Sequence, residues 1–188
     1  MTAQDYLDAR DRHRLTVEEF LLLDREGAFG DRHAELIGGD VWYMSPKHLP
    51  HARITGEIYY HARLALEAGG SKLFALTDIS VRLSDHDTLD PDVAITEAVE
   101  GDGVLPKAAV RLLVEVSDST LAKDLSLKAE IYSTAGIPEY WVVDIGGRVI
   151  HQMWVPCNAG YAEKRIVPFG QATASETIPE LTIATNFH

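Results

Sequence analysis

The chain has 188 residues, with 17 Lys and Arg against 29 Asp and Glu for a formal net charge of −12, and 46% of it is apolar. That composition is globular rather than disordered, the length suits one domain with a real core, and no run of about 18 apolar residues offers a membrane span. The lone Cys157 excludes an intramolecular disulfide and a zinc site built on several thiolates, while the polar stretch Met1 to Arg14 lacks the apolar core of a secretory signal, so a cytoplasmic protein is expected.

Thr16 to Glu26 carries apolar residues at Val17, Phe20, Leu21 and Leu23. Thr16 with Glu19 three residues later makes a capping box, which predicts a short helix. His33–Ile37 and Asp40–Met44 flank Gly38-Gly39, the signal of a two-residue β-hairpin. Pro50 to Ala68 reads as a helix with Ile54, Ile58, Ala62 and Ala65 along one side and Gly69-Gly70 as its stop. The surrounding stretch, Pro46 to Lys72, is basic: Lys47, Arg53, Arg63 and Lys72 outnumber two glutamates, beside His48, His51 and His61.

Leu73 to Leu83 reads as one long strand, followed by an acidic turn and a strand over Asp92–Ile95. Between Asp78 and Asp102, eight acids face one arginine, a local charge of −7. A solvated loop accounts for that run, and so does a carboxylate-rich cation site. Val110 to Val116 is nearly continuously apolar, as in a strand buried on both faces. Ser119 to Ala135 is a second predicted helix, closed by Gly136 and Pro138. Tyr140–Asp144 is another buried strand, Gly146-Gly147 leads into Val149–Trp154, and Tyr161–Val167 and Leu181–Ala184 are weaker strands. No repeat or linker interrupts the chain, so a single domain over 1–188 is expected, with its core at about 16–183. The class is α/β bordering on α+β, a mixed sheet with helices packed on it.

Three positions look chemical. Glu115 stands in Leu-Leu-Val-Glu-Val, where its carboxylate leaves water and needs a cation or a hydrogen-bonded partner. A structural ion pair or an exposed strand end is the competing account. Asp92 follows Pro91 at the mouth of the neighbouring strand, and two carboxylates converging there make a hard-oxygen site suited to magnesium. Lys128 falls on an inward helical face with Leu121, Leu125, Tyr132 and Ala135, with Asp124 one turn before it. Snorkelling competes with delivery of the ammonium to the carboxylate pair. Asp, Glu, a divalent metal and Lys together describe phosphodiester hydrolysis, in which the lysine positions or helps deprotonate a water.

Asp90-Pro91-Asp92-Val93-Ala94-Ile95, the run Leu113 to Thr120, the run Asp124 to Lys128 and Tyr132 to Asp144 resemble the Uma-type restriction-endonuclease family, and Ala34 to Pro46 resembles its opening hairpin. The Gly-Ile-Pro-Glu-Tyr-Trp segment from Gly136 to Trp141 is the most specific part. The resemblance implies the PD-(D/E)XK nuclease fold, a restriction-endonuclease-like central mixed β-sheet flanked by helices, usually with a divalent-metal site. It implies Asp92 and Glu115 as metal-binding carboxylates, Lys128 as the lysine and Glu35 as an additional acid; the Val116 carbonyl is expected to complete the sphere. Mg2+ is the implied cofactor, with Mn2+ the alternative. Ser117 stands two residues after Glu115, where the superfamily pattern has lysine. Lys123 is the fallback, although its helical phase places it off the inward face.

The resulting expectation is a metal-dependent endonuclease acting on DNA, with Lys47, His51, Arg53 and Arg63 as phosphate contacts, and a homodimer as one means of reaching two strands. A catalytically silent binding or assembly module on the same fold, and a metal-dependent phosphohydrolase of small nucleotides, are the rivals. Residue chemistry alone would place Glu35 and His51 on the surface and Tyr132 in the core with its hydroxyl toward Glu115 or Lys128. Trp42, Trp141 and Trp154 read as packing rather than base stacking, and Cys157 as a loop residue. The acidic excess predicts weak substrate binding until a metal offsets it.

Overall fold

The computed structural model describes residues 12–158 and 160–187, so all but the last three residues of the polar stretch Met1 to Arg14 lie outside the described residues. Helix α1 (Val17–Arg25) opens with the full capping box: Glu19 N–H donates to Thr16 Oγ1 at 3.2 Å and Thr16 N–H to Glu19 Oε2 at 2.8 Å. Strands β1 (Ala34–Ile37) and β2 (Asp40–Tyr43) pair antiparallel across Gly38 and Gly39, whose φ values of 59° and 83° are the pair of positive angles a type I′ turn demands. Helix α2 spans Leu49–Ala68 and stops at Gly69.

The long strand expected over Leu73 to Leu83 is two strands, β3 (Phe74–Leu76) and β4 (Val81–Arg82), which join different sheets. Asp78 lies between them with φ of 52°, and that left-handed residue turns the chain out of one sheet into the other. Next come β5 (Thr88–Leu89), β6 (Val93–Thr96), β7 (Leu105–Pro106) and β8 (Val110–Ser117). A helical segment over 121–134 leads to β9 (Glu139–Asp144), β10 (Val149–Cys157), β11 (Gly160–Pro168), β12 (Thr173–Ala174) and β13 (Thr182–Ile183). Cys157 ends β10 opposite Gly160 rather than lying in a loop.

The larger sheet is mixed, in the order β11-β10-β9-β8-β6-β3, with β8 and β9 parallel and every other pair antiparallel. A parallel pair needs a crossover, and the 121–134 helix provides it. Alternation along β8 sends Leu112, Val114 and Val116 to one face, packed with Ile54, Ile58, Ala62 and Leu66 of α2. Leu113 points to the other, packed with Ala94, Val142, Ala129 and Tyr132. Both faces are therefore covered by helix, which is why β8 reads as an apolar run and why its one glutamate stands out. A second sheet, β2-β1-β5-β4-β7, carries the hairpin, and β12 and β13 pair separately.

Candidate active site

The crossover helix departs from regular geometry. Leu121–Lys123 is α-helical (α3), Asp124–Lys128 is a π-helical turn and Ala129–Thr134 resumes as α4. The wider turn alters the expected 3.6-residue phase, so the fully buried residues are Asp124, Lys128, Ala129, Tyr132 and Ser133, while Leu121, Leu125 and Ala135 are only partly buried. The inward face is thus more polar than the apolar spacing suggested. Asp124 holds it to the sheet: Ser117 Oγ and Thr120 Oγ1 each donate to its Oδ2 at 2.6 Å, and Tyr140 Oη donates to its backbone oxygen at 3.1 Å.

Lys128 Nζ donates to Glu35 Oε1 at 2.9 Å and to Glu115 Oε1 at 2.8 Å, and Tyr132 Oη donates to the same Glu115 oxygen at 2.8 Å. Glu35, expected at the surface, is 1% exposed, because the hairpin lays this face of β1 against the crossover helix. Lys123 joins from the rim despite its phase, its long stem bringing Nζ within 3.3 Å of Glu35 Oε2. The backbone N–H of Asp90 donates to Glu35 Oε1 at 3.3 Å.

Asp92 precedes β6, one step beyond the Val93–Val114 pair and so beside Glu115 on the neighbouring strand. Its Oδ2 accepts from the Val116 N–H at 2.7 Å and His51 Nε2 at 3.1 Å, and Lys47 Nζ lies 2.9 Å from its Oδ1. His51 is therefore no surface histidine. The first turn of α2 carries it inward, with Thr55 Oγ1 3.4 Å from its Nδ1. The other two basic residues behave differently. Arg63 lies farther along α2, exposed, donating to Glu67 Oε1 at 2.9 Å, and takes no part in the site. Arg53 lines a separate cleft of about 320 Å3 with Leu49, Pro50, Ile54, Arg148 and Phe169.

The charges settle unevenly. Burial would raise Glu35, but Lys128 and Lys123 outweigh it and hold the carboxyl below its usual range. Burial likewise opposes Asp92, and hydrogen bonds from His51, Lys47 and the Val116 amide win, again lowering it. Glu115 goes the other way. Its desolvation, with Asp92, Asp124 and Glu35 nearby, exceeds the help from Lys128 and pushes it up to about 8. Burial lowers Lys128, but the two carboxylates on its ammonium overcome that and keep it firmly protonated. Asp90, which sequence reasoning left out of the site, is raised by its own burial and by Glu35, against a hydrogen bond from Ser80. Its place in the Asp-Pro-Asp run was the available signal.

Among the described residues, no group of three or more His, Cys, Asp or Glu side chains is spaced to hold a metal ion. The donor set nevertheless fits a hard divalent cation. Asp92 and Glu115 stand side by side on adjacent strands, Glu115 is desolvated near Asp92, Asp124 and Glu35 with Lys128 opposing, and Lys47 already sets a cation on Asp92. Magnesium is commonly held by one or two carboxylates while keeping several waters.

The model of the Uma2 family, described as "Putative restriction endonuclease", matches residues 17–186. The fold is similar to a solved structure described as a putative nuclease belonging to DUF820 from Anabaena variabilis, at 15% identity and a TM-score of 0.66, covering 92% of this chain and 96% of that one. No curated protein matches the chain. At that identity the structural likeness is one of fold, while the family match spans nearly the whole sequence. The chain belongs to the Uma2 family of restriction-endonuclease-like proteins.

Proposed function

We propose that this Uma2-family protein is a magnesium-dependent endonuclease of the PD-(D/E)XK type that hydrolyses phosphodiester bonds in DNA. One observation carries the reading: a single buried ammonium, Lys128, bridges two buried carboxylates, Glu35 and Glu115, and Asp92 stands next to Glu115 on the neighbouring strand. Asp92, Glu115 and the Val116 carbonyl would hold the ion. When bound, magnesium polarises a phosphoryl oxygen and lowers the pKa of a coordinated water.

The chain's own residues do the rest. Lys128, kept protonated by two carboxylates, acts as a donor to the attacking water or to a phosphate oxygen and stabilises the negative charge that grows as the water oxygen bonds to phosphorus. One ester P–O bond breaks, the attacking water gives up a proton to bulk water, and the leaving oxygen takes one back, so water is split between the two products. Glu35 and Tyr132 fix where the ammonium and Glu115 stand, and Asp124 fixes the helix that delivers them. Lys47 is half exposed at the mouth, free to exchange Asp92 for a substrate phosphate when the ion arrives.

Asp92→Ala and Lys128→Met should each abolish magnesium-dependent cleavage of DNA by the full-length protein. Cleavage by either variant at the parent rate overturns the site assignment. Mononucleotide hydrolysis in place of DNA cleavage favours the small-nucleotide phosphohydrolase.

A further inference from the structure

Trp42 stands directly opposite Glu35 in the β1–β2 ladder. Directly opposed residues of an antiparallel pair project from the same face, so the indole lies on the face that carries the buried acid. Its neighbour Tyr43 projects from the other face, where its ring meets Phe29 edge-on at 6.4 Å and Arg32 lies over it at 3.6 Å. The packing role expected of Trp42 is not what the fold gives it: 46% of the residue remains exposed. Lys123 Nζ sits over the ring, 5.6 Å from its centroid, while the same ammonium reaches Glu35 Oε2. A large flat ring, held by a cation that also touches the catalytic cluster, borders the site.

We propose that Trp42 is a stacking platform for an unpaired nucleobase adjacent to the scissile phosphate, with Lys123 beside it to meet the backbone. This rests on the nuclease reading above and narrows it to single-stranded DNA or duplexes with an unpaired base at the cut. Aromatic rings take any base by its flat face, and a neighbouring ammonium complements the phosphate. Trp42 is a positioning residue here, acting on how substrate sits rather than on the reacting atoms.

The test uses the full chain with calcium in place of magnesium, so that binding is read without turnover and with every proposed ligand intact. Anisotropy of a labelled short single-stranded oligonucleotide, in calcium at low salt, should show Trp42→Ala weakening binding by about 5- to 150-fold, with Trp42→Phe close to the parent. An oligonucleotide with an abasic position at the stacking site should bind as weakly as Trp42→Ala does, a comparison that needs no mutation at Trp42. With magnesium restored, Trp42→Ala should raise KM far more than it lowers kcat. If the parent cuts DNA yet Trp42→Ala and the abasic substrate bind unchanged, the stacking role is overturned and the nuclease reading stands. If the parent neither binds nor cuts any oligonucleotide, both fall.

Discussion

Glu115 on β8 and Glu139 on β9 are both buried carboxylates on the same parallel pair of strands, yet they are satisfied in opposite ways. Glu139 accepts from Trp141 Nε1 at 2.6 Å, Ser175 Oγ at 2.6 Å, Thr177 N–H at 2.9 Å and Thr177 Oγ1 at 2.8 Å, with the Glu176 N–H at 3.1 Å. Fixed neutral dipoles surround it, and they tie the loop between β12 and β13 to the sheet. Glu115 has one ammonium and one phenol on a single oxygen, shares that ammonium with Glu35, and sits beside Asp92. A carboxylate saturated by oriented dipoles holds a structure together. One that is desolvated among other acids and shares its ammonium suits a bound cation, and the proposed assignment of Glu115 rests on that difference.

The strongest challenge to this contrast is a pair of charge deletions read on activity. Glu115→Gln should lower magnesium-dependent DNA cleavage at least a hundredfold, whereas Glu139→Gln should leave cleavage by the folded protein nearly unchanged. Stability should show the reverse order of sensitivity at Glu139. Glu139→Ala strips five donors of their acceptor at once and should cost about 3 kcal/mol or more in denaturant unfolding. Lys128→Met leaves Glu35 and Glu115 buried without their cation and should cost about 3–5 kcal/mol, which a second Glu115→Gln substitution partly restores.

The pH dependence separates the two acids further. Glu115 is raised when folded, so between about 4.5 and 8 the folded chain keeps a proton that the unfolded chain has released. The unfolded state binds fewer protons there, and the stability of the metal-free protein should fall as pH rises through that window. Glu35 and Asp92 are lowered, so their contribution is present above the ordinary carboxylate range and lost as pH falls below it. Thermal melts from pH 5 to 8 should show the Glu115 slope in the parent, its loss in Glu115→Gln, and its reduction by magnesium; a flat parent profile contradicts the assignment. The smallest effect belongs to Tyr132→Phe, which removes one hydrogen bond to Glu115 and should cost about 1–2 kcal/mol in the same unfolding measurement.

Much of this arrangement was legible in the residues. A glutamate inside Leu-Leu-Val-Glu-Val, an aspartate at the next strand's mouth and an inward lysine are local anomalies, and local periodicity exposes them. Glu35 was not legible from its surroundings, because its burial comes from contact with Lys128, 93 positions away in sequence. The pairing of His51 with Asp92 was hidden for the same reason, the two lying 41 positions apart. Glu139 passed unnoticed because its partners lie in a short loop with no pattern of its own. The π turn was hidden because hydrophobic spacing assumes a constant helical phase.

The amino-acid sequence by itself determined the hairpin, the two capped or glycine-stopped helices, the apolar strands and the acids placed among them. These follow from side-chain period, turn chemistry and the cost of burying charge, all of which act over a few residues. Only the tertiary structure decided which acid shares which cation, which carboxylate is saturated, and which tryptophan is left at the rim. Those outcomes depend on the distances between charges and dipoles brought together from remote segments, and electrostatics in a dry interior is governed by such distances rather than by sequence order.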